Sequence, residues 1–153
     1  YDQLPDSLNP NTEKLIGIKY FKSINSSAGG GSFNEDEEFE YLYIDTALAK
    51  ILGANNIKNI EAINVVGDSM EPILKDKSVI LINRTLTCIS LKEEIFVINT
   101  PNGIYVKLVS KNDDNEVVLK SLNDVYKKES FNFKDVKVIG KVVGSIDAQH
   151  LAS

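Results

Sequence analysis

Val65-Val66-Gly67-Asp68-Ser69-Met70-Glu71-Pro72 runs an apolar, β-branched stretch into a glycine, a serine and a turn that Pro72 begins or bends. A serine at such a junction can present its hydroxyl beside backbone N–H groups that no strand pairing uses. Free amides next to a hydroxyl are what an oxyanion site requires. The same residues also read as a helix N-cap, with Ser69 or Asp68 capping Met70 to Leu74 and Glu71 in the first turn.

A serine hydroxyl is a poor nucleophile until a neighbour takes its proton. The chain holds one His, His150, close to its end, so histidine is an unpromising base. A neutral lysine can serve if apolar surroundings lower its pKa. Gly103-Ile104-Tyr105-Val106-Lys107-Leu108-Val109 places one lysine inside an apolar strand. Alternation puts Ile104, Val106 and Leu108 on one face and Tyr105, Lys107 and Val109 on the other. Lys107 also reads as a residue that snorkels to solvent or guards a sheet edge. Between Ser69 and Lys107 there is room for two strands.

Composition narrows the setting. The 153 residues suit one domain. Hydrophobic residues at 42% and charged residues at 25% are ordinary for a globular protein, large enough to bury a core without a staple. Seventeen Lys and Arg against 22 Asp and Glu leave a net charge of −5, which argues against a nucleic-acid surface on this piece. One Cys, Cys88, permits no intrachain disulfide, and with the lone His150 it cannot build a zinc site. No metal and no cofactor are expected. No apolar run is long enough to span a membrane, and Tyr1 to Asp6 lacks the features of a signal peptide. The cytoplasm is the expected compartment. The only Met is Met70, so the chain is expected to be a fragment or processed form of something longer.

Residues 1–15, with Pro5 and Pro10, read as a linker remnant, and residues 147–153, with His150, as a tail. Residues 16–146 form the domain. Ile16 to Phe21 is a predicted strand. Ser26-Ser27-Ala28-Gly29-Gly30-Gly31-Ser32 is a flexible small-residue loop, and the acidic run Glu35 to Glu40 a solvated one. Asp45 to Gly53 is a predicted helix, capped by Asp45 and stopped by Gly53. Strands follow at Ile60–Val66, Ser78–Asn83, Glu94–Asn99, Gly103–Val109, Glu116–Leu122 and Val136–Ile146, with a hairpin across Thr100-Pro101-Asn102. The expected fold is mostly β, rolled and partly barrel-like, with one or two short helices. Cys88 is expected to be structural.

Four segments, in order, resemble one family. Gly67-Asp68-Ser69-Met70-Glu71-Pro72, Val79-Ile80-Leu81-Ile82 and Tyr105-Val106-Lys107-Leu108-Val109 are similar to the C-terminal domain of LexA-type and phage repressors. Those domains are Ser-Lys self-cleaving peptidases related in fold to bacterial signal peptidase. Ser121-Leu122-Asn123-Asp124-Val125-Tyr126 resembles the family's Ser-x-Asn-x-x-Tyr stretch, and Val138-Ile139-Gly140-Lys141-Val142-Val143-Gly144 its closing strand. The resemblance covers about Ile16 to Ile146. The glycine-rich Gly29-Gly30-Gly31 is closer to phage-type repressors than to many LexA sequences.

The resemblance implies a specific chemistry. Neutral Lys107 takes the proton of Ser69. Ser69 attacks the carbonyl of Ala28 in the Ala28–Gly29 bond, within a cleavage loop at about residues 24–40. The backbone N–H groups of Asp68 and Ser69 hold the oxyanion. It further implies a homodimer paired near Val138 to Ile146, DNA contact only through an N-terminal domain outside this chain, and a RecA filament acting as co-protease in an SOS-like response to DNA damage. Two other readings remain: a non-cleaving dimerisation and regulatory module controlled by a partner such as an antirepressor, and a relative of the mutagenesis polymerase subunits processed by the same chemistry.

Overall fold

The computed structural model describes residues 15–22, 38–54 and 57–147. Among the described residues, nine strands join in one sheet: β1 Leu15–Phe21, β2 Glu40–Asp45, β3 Ile60–Asn64, β4 Val79–Asn83, β5 Glu94–Thr100, β6 Gly103–Lys111, β7 Glu116–Lys120, β8 Glu129–Asn132 and β9 Lys137–Ile146. Their spatial order is β2-β1-β3-β4-β9-β5-β6-β7-β8. Every pairing is antiparallel except β1 with β3. One α-helix, α1 Thr46–Ile51, follows β2 directly. Its Asp45 cap accepts a 2.7 Å hydrogen bond from the Ala47 N–H. The expected mostly-β domain is the one observed.

Two strands lie where no strand was predicted. β2 begins at the end of the acidic run, and its Tyr41-Leu42-Tyr43-Ile44 alternation was available as a signal. β8, Glu-Ser-Phe-Asn, has only Phe131 to mark it, and it exists because β7 offers an edge to pair with.

Alternation along the central strands divides the core by face. Ile80 and Ile82 of β4, Val97 of β5 and Ile139 of β9 share one cluster with Phe21, Ile63 and Val65. Leu81 of β4 points the other way, with Ile18, Ala62 and the helix residue Ala49. Phe96 and Ile98 of β5 pack with Val109, Val117 and Leu119. Met70 and Leu74, from the turn after β3, are inserted into the first cluster and are buried. The residue after Ser69 is therefore a core anchor, with about 1.5–3 kcal/mol to lose if exposed.

The glycines of β9 have a steric reason. At Gly144 an added Cβ would lie 2.1 Å from the Leu52 carbonyl oxygen, and at Gly140 2.7 Å from that of Asn83. Both obstacles are backbone and cannot rotate away. Gly144→Ala is expected to destabilise the fold by about 1–3 kcal/mol or more, the typical cost of overpacking. The measurement is the urea midpoint at unchanged m-value; an unchanged midpoint would contradict this close approach.

Candidate active site

The loop from Val65 to Ser78 is closed by backbone bonds, Val65 N–H to Ser78 at 2.8 Å and Lys77 N–H to Val65 at 2.8 Å. Inside it, Gly67 has φ +92, with open space where a side chain would be. Its N–H donates to Asp76 Oδ1 at 2.9 Å. Glycine takes this conformation without the steric cost that other residues meet. It turns the chain sharply, so that Ser69 faces outward while Met70 faces the core.

Segment 69–74 is not an α-helix. It is a run of turns, with Glu71 N–H on Asp68 O at 3.1 Å and Leu74 N–H on Met70 O at 2.9 Å. The capping alternative is thereby set aside: the Ser69 hydroxyl makes no hydrogen bond among the described residues. Nor do the N–H groups of Asp68 and Ser69 meet an acceptor there.

Lys107 sits on β6, which lies between β5 and β7 in the sheet. β6 pairs with β5 along Gly103–Val109, but with β7 only from Leu108 onward. Lys107 stands where the second pairing stops. A cleft of about 380 Å³ opens at that gap, lined by Val66, Ser69, Tyr105, Lys107, Tyr126 and Glu129 among others. The structure thus brings Ser69 and Lys107 to one cleft. An adjoining apolar hollow of about 120 Å³ shares Val66, Ser69 and Tyr105 with it.

The contact that holds the lysine comes from elsewhere. Lys107 Nζ donates to Ser121 Oγ at 2.6 Å, and Ser121 is buried. The rings of Tyr105 and Tyr126 lie 5.6 Å and 5.4 Å from Nζ. Burial holds the Lys107 pKa below its ordinary value, and the Glu129 carboxylate works against that. The two rings favour the cation as well. Burial is the largest effect, so the neutral amine is reached at lower pH than for an exposed lysine.

The segment after β7 also grips the serine turn. Asn123 N–H donates to Ser69 O at 2.9 Å. Asn123 Nδ2 donates to Asp68 O at 3.2 Å. The Tyr126 hydroxyl donates to the Asp68 carboxylate. That carboxylate holds the Tyr126 pKa above its ordinary range, so the donor survives into alkaline solution. Ser121, Asn123 and Tyr126 were visible in the sequence only as a motif without roles. Ala28 and Gly29 lie outside the described residues, as do most of the tail and most of the linker; flanking the loop, β1 ends at Phe21 and β2 begins at Glu40. Cys88 is exposed. No group of His, Cys, Asp and Glu among the described residues could hold a metal ion.

The sequence profile of the Peptidase S24-like family matches residues 20–143. The chain belongs to the Peptidase S24-like family. The match runs from the end of β1 to β9 and includes every residue of the cleft. This S24-like domain is also similar to "Repressor protein CI" of Enterobacteria phage phi80, with 22% identity over 139 residues covering 90% of the chain. The chain spans 58% of that relative's length. Among the described residues, no helix is long and apolar enough to cross a membrane.

A lysine held below its ordinary pKa disfavours the folded state while it is charged. The native state then binds fewer protons than the unfolded one between the lowered value and the ordinary lysine value. Stability therefore rises with pH through that window. Lys107→Met removes this dependence. The wild type is expected to gain on the variant as pH rises through the window, read from urea unfolding at a series of pH values. A difference that stays flat would contradict the lowered pKa.

Proposed function

We propose that this S24-like domain is a Ser-Lys self-cleaving peptidase and the regulatory domain of a phage-type repressor, cutting itself at Ala28–Gly29. The observation that carries this reading is the shared cleft, with an unengaged serine hydroxyl, unengaged amides and a partly desolvated lysine. In the neutral amine, one N–H donates to Ser121 Oγ and the lone pair stays available. Lys107 takes the Ser69 proton through that lone pair. Ser69 Oγ attacks the Ala28 carbonyl carbon, and the Asp68 and Ser69 N–H groups stabilise the oxyanion. The proton passes from Lys107 to the departing Gly29 amine as the Ala28–Gly29 bond breaks. Water, with Lys107 again as base, then hydrolyses the ester on Ser69.

The tether supports the assignment of the scissile bond. Phe21, where β1 ends, belongs to the same core cluster as Met70 beside the nucleophile. The stretch from Phe21 to Ala28 can span up to roughly 25 Å when extended. A tethered peptide needs little intrinsic affinity, because its effective concentration is high. Ala28 and Gly29 are small enough to enter a narrow cleft, and the apolar hollow beside Ser69 can receive a side chain of the extended peptide. A loop in place also excludes water from around Lys107, which favours the neutral base. A RecA filament would act by favouring that docked state, which is a population shift. Beyond Lys141, β9 pairs with β4 alone, which leaves an edge that a second copy could join in a homodimer. DNA contact is assigned to an N-terminal domain outside this chain, and the compartment to the cytoplasm.

Alkaline incubation of the purified chain tests the chemistry without any co-protease. The expected result is a cut between Ala28 and Gly29, identified by intact mass, with a rate that rises as pH neutralises Lys107. Ser69→Ala and Lys107→Ala are each expected to lower the rate at least about a thousandfold. A wild-type chain that stays intact at high pH and with activated RecA filament would favour instead a non-cleaving dimerisation module controlled by a protein partner such as an antirepressor.

A further inference from the structure

We propose that Asn123 is a positioning residue for the oxyanion site, aiming the Ser69 N–H at the reacting carbonyl. This rests on the Ser-Lys peptidase reading and adds to it a residue that touches neither the nucleophile's hydroxyl nor the base.

The geometry is that of two peptide planes. A trans peptide holds its C=O and N–H antiparallel in one rigid unit. The Asp68 carbonyl oxygen accepts from Asn123 Nδ2 at 3.2 Å and from Glu71 N–H at 3.1 Å. Two donors on that oxygen fix the opposite end of the same plane, the Ser69 N–H, which points away from both. It meets no acceptor among the described residues. The next plane is fixed in the same manner, because Asn123 N–H holds the Ser69 carbonyl at 2.9 Å. The Asp68 N–H lies on the Gly67 plane, which Asn123 does not touch. Ser69 N–H is therefore the better controlled donor of the expected pair.

Asn123 is itself oriented. Its Oδ1 accepts from Val125 N–H at 3.2 Å, which assigns the amide and sends Nδ2 toward Asp68. Its own carbonyl accepts from Tyr126 N–H at 3.2 Å. Without the side chain, the Asp68 oxygen keeps one turn bond, and the plane is preceded by Gly67, whose backbone has wide freedom. The donor would then wander while the fold stays closed through Met70 and Tyr126. The Tyr126 bond goes to the Asp68 carboxylate and does not fix the peptide plane.

The test is the complete pH–rate profile of alkaline self-cleavage in the whole chain, for wild type, Asn123→Ser and Asn123→Ala. Serine can still accept from Val125 N–H but is too short to reach Asp68 O, so it isolates the lost Nδ2 contact and keeps the turn. Losing an oxyanion donor outright costs about 10²–10³ in rate. A misaimed donor is expected to lower the plateau rate at least about tenfold in both variants. The pH midpoint should not move, because Lys107 and Ser121 are untouched. A plateau within about twofold of wild type in Asn123→Ser would overturn the proposal. So would a shifted midpoint with an unchanged plateau, which would make Asn123 act through the base. Either result leaves the peptidase reading standing, whereas an uncut wild type removes both.

Discussion

The 2.6 Å bond between Lys107 Nζ and Ser121 Oγ is the contact on which the cleft depends. It locates an amine at a point where β6 has lost its pairing with β7 and keeps only β5, among tyrosine rings and partly withdrawn from water. An unpaired charge in such a place is costly. The single hydroxyl of Ser121 and the attraction of Glu129 only partly compensate. What remains of that cost lowers the proton affinity of the amine. Position and basicity thus have one cause, and a lysine on the same strand but facing solvent would have neither.

The segment from Ser121 to Tyr126 joins the two halves of the site. It leaves the end of β7 and reaches both the lysine on β6 and the turn after β3. These elements are far apart in the chain and have three strands between them in the sheet, and packing on one face, where Ile63, Val65 and Met70 share a core cluster with Ile104, brings them together. Its grip on the turn is made of backbone carbonyls and one carboxylate, while the Ser69 hydroxyl and its neighbouring amides stay unengaged among the described residues. Stability and reactivity are separated by a peptide plane: bonds on the carbonyl side, an open donor on the other.

Much of this was legible beforehand, for identifiable reasons. The β5–β6 hairpin was marked by turn residues at Pro101 and Asn102, and the helix by Asp45 and Gly53, all local signals. That Ser69 and Lys107 line one cleft was partly legible, since a serine at a sharp turn and a lysine inside an apolar strand are local signals. β8 was not, since a four-residue strand with one aromatic exists through pairing and not through propensity. The partnership of Lys107 with Ser121 was also hidden. Strand alternation says which face a residue takes, but not which loop closes over it. The backbone obstacles at Gly140 and Gly144 belong to the same class of long-range information.

The proposed chemistry turns on the proton affinity of one side chain in the intact fold. Titration of the Lys107 Cε and Nζ resonances by heteronuclear NMR in Ser69→Ala, which cannot cut itself, measures it directly. The expected midpoint lies clearly below those of the exposed lysines in the same spectra. A midpoint equal to theirs or higher would leave Ser69 without an activated base and would contradict the proposed chemistry.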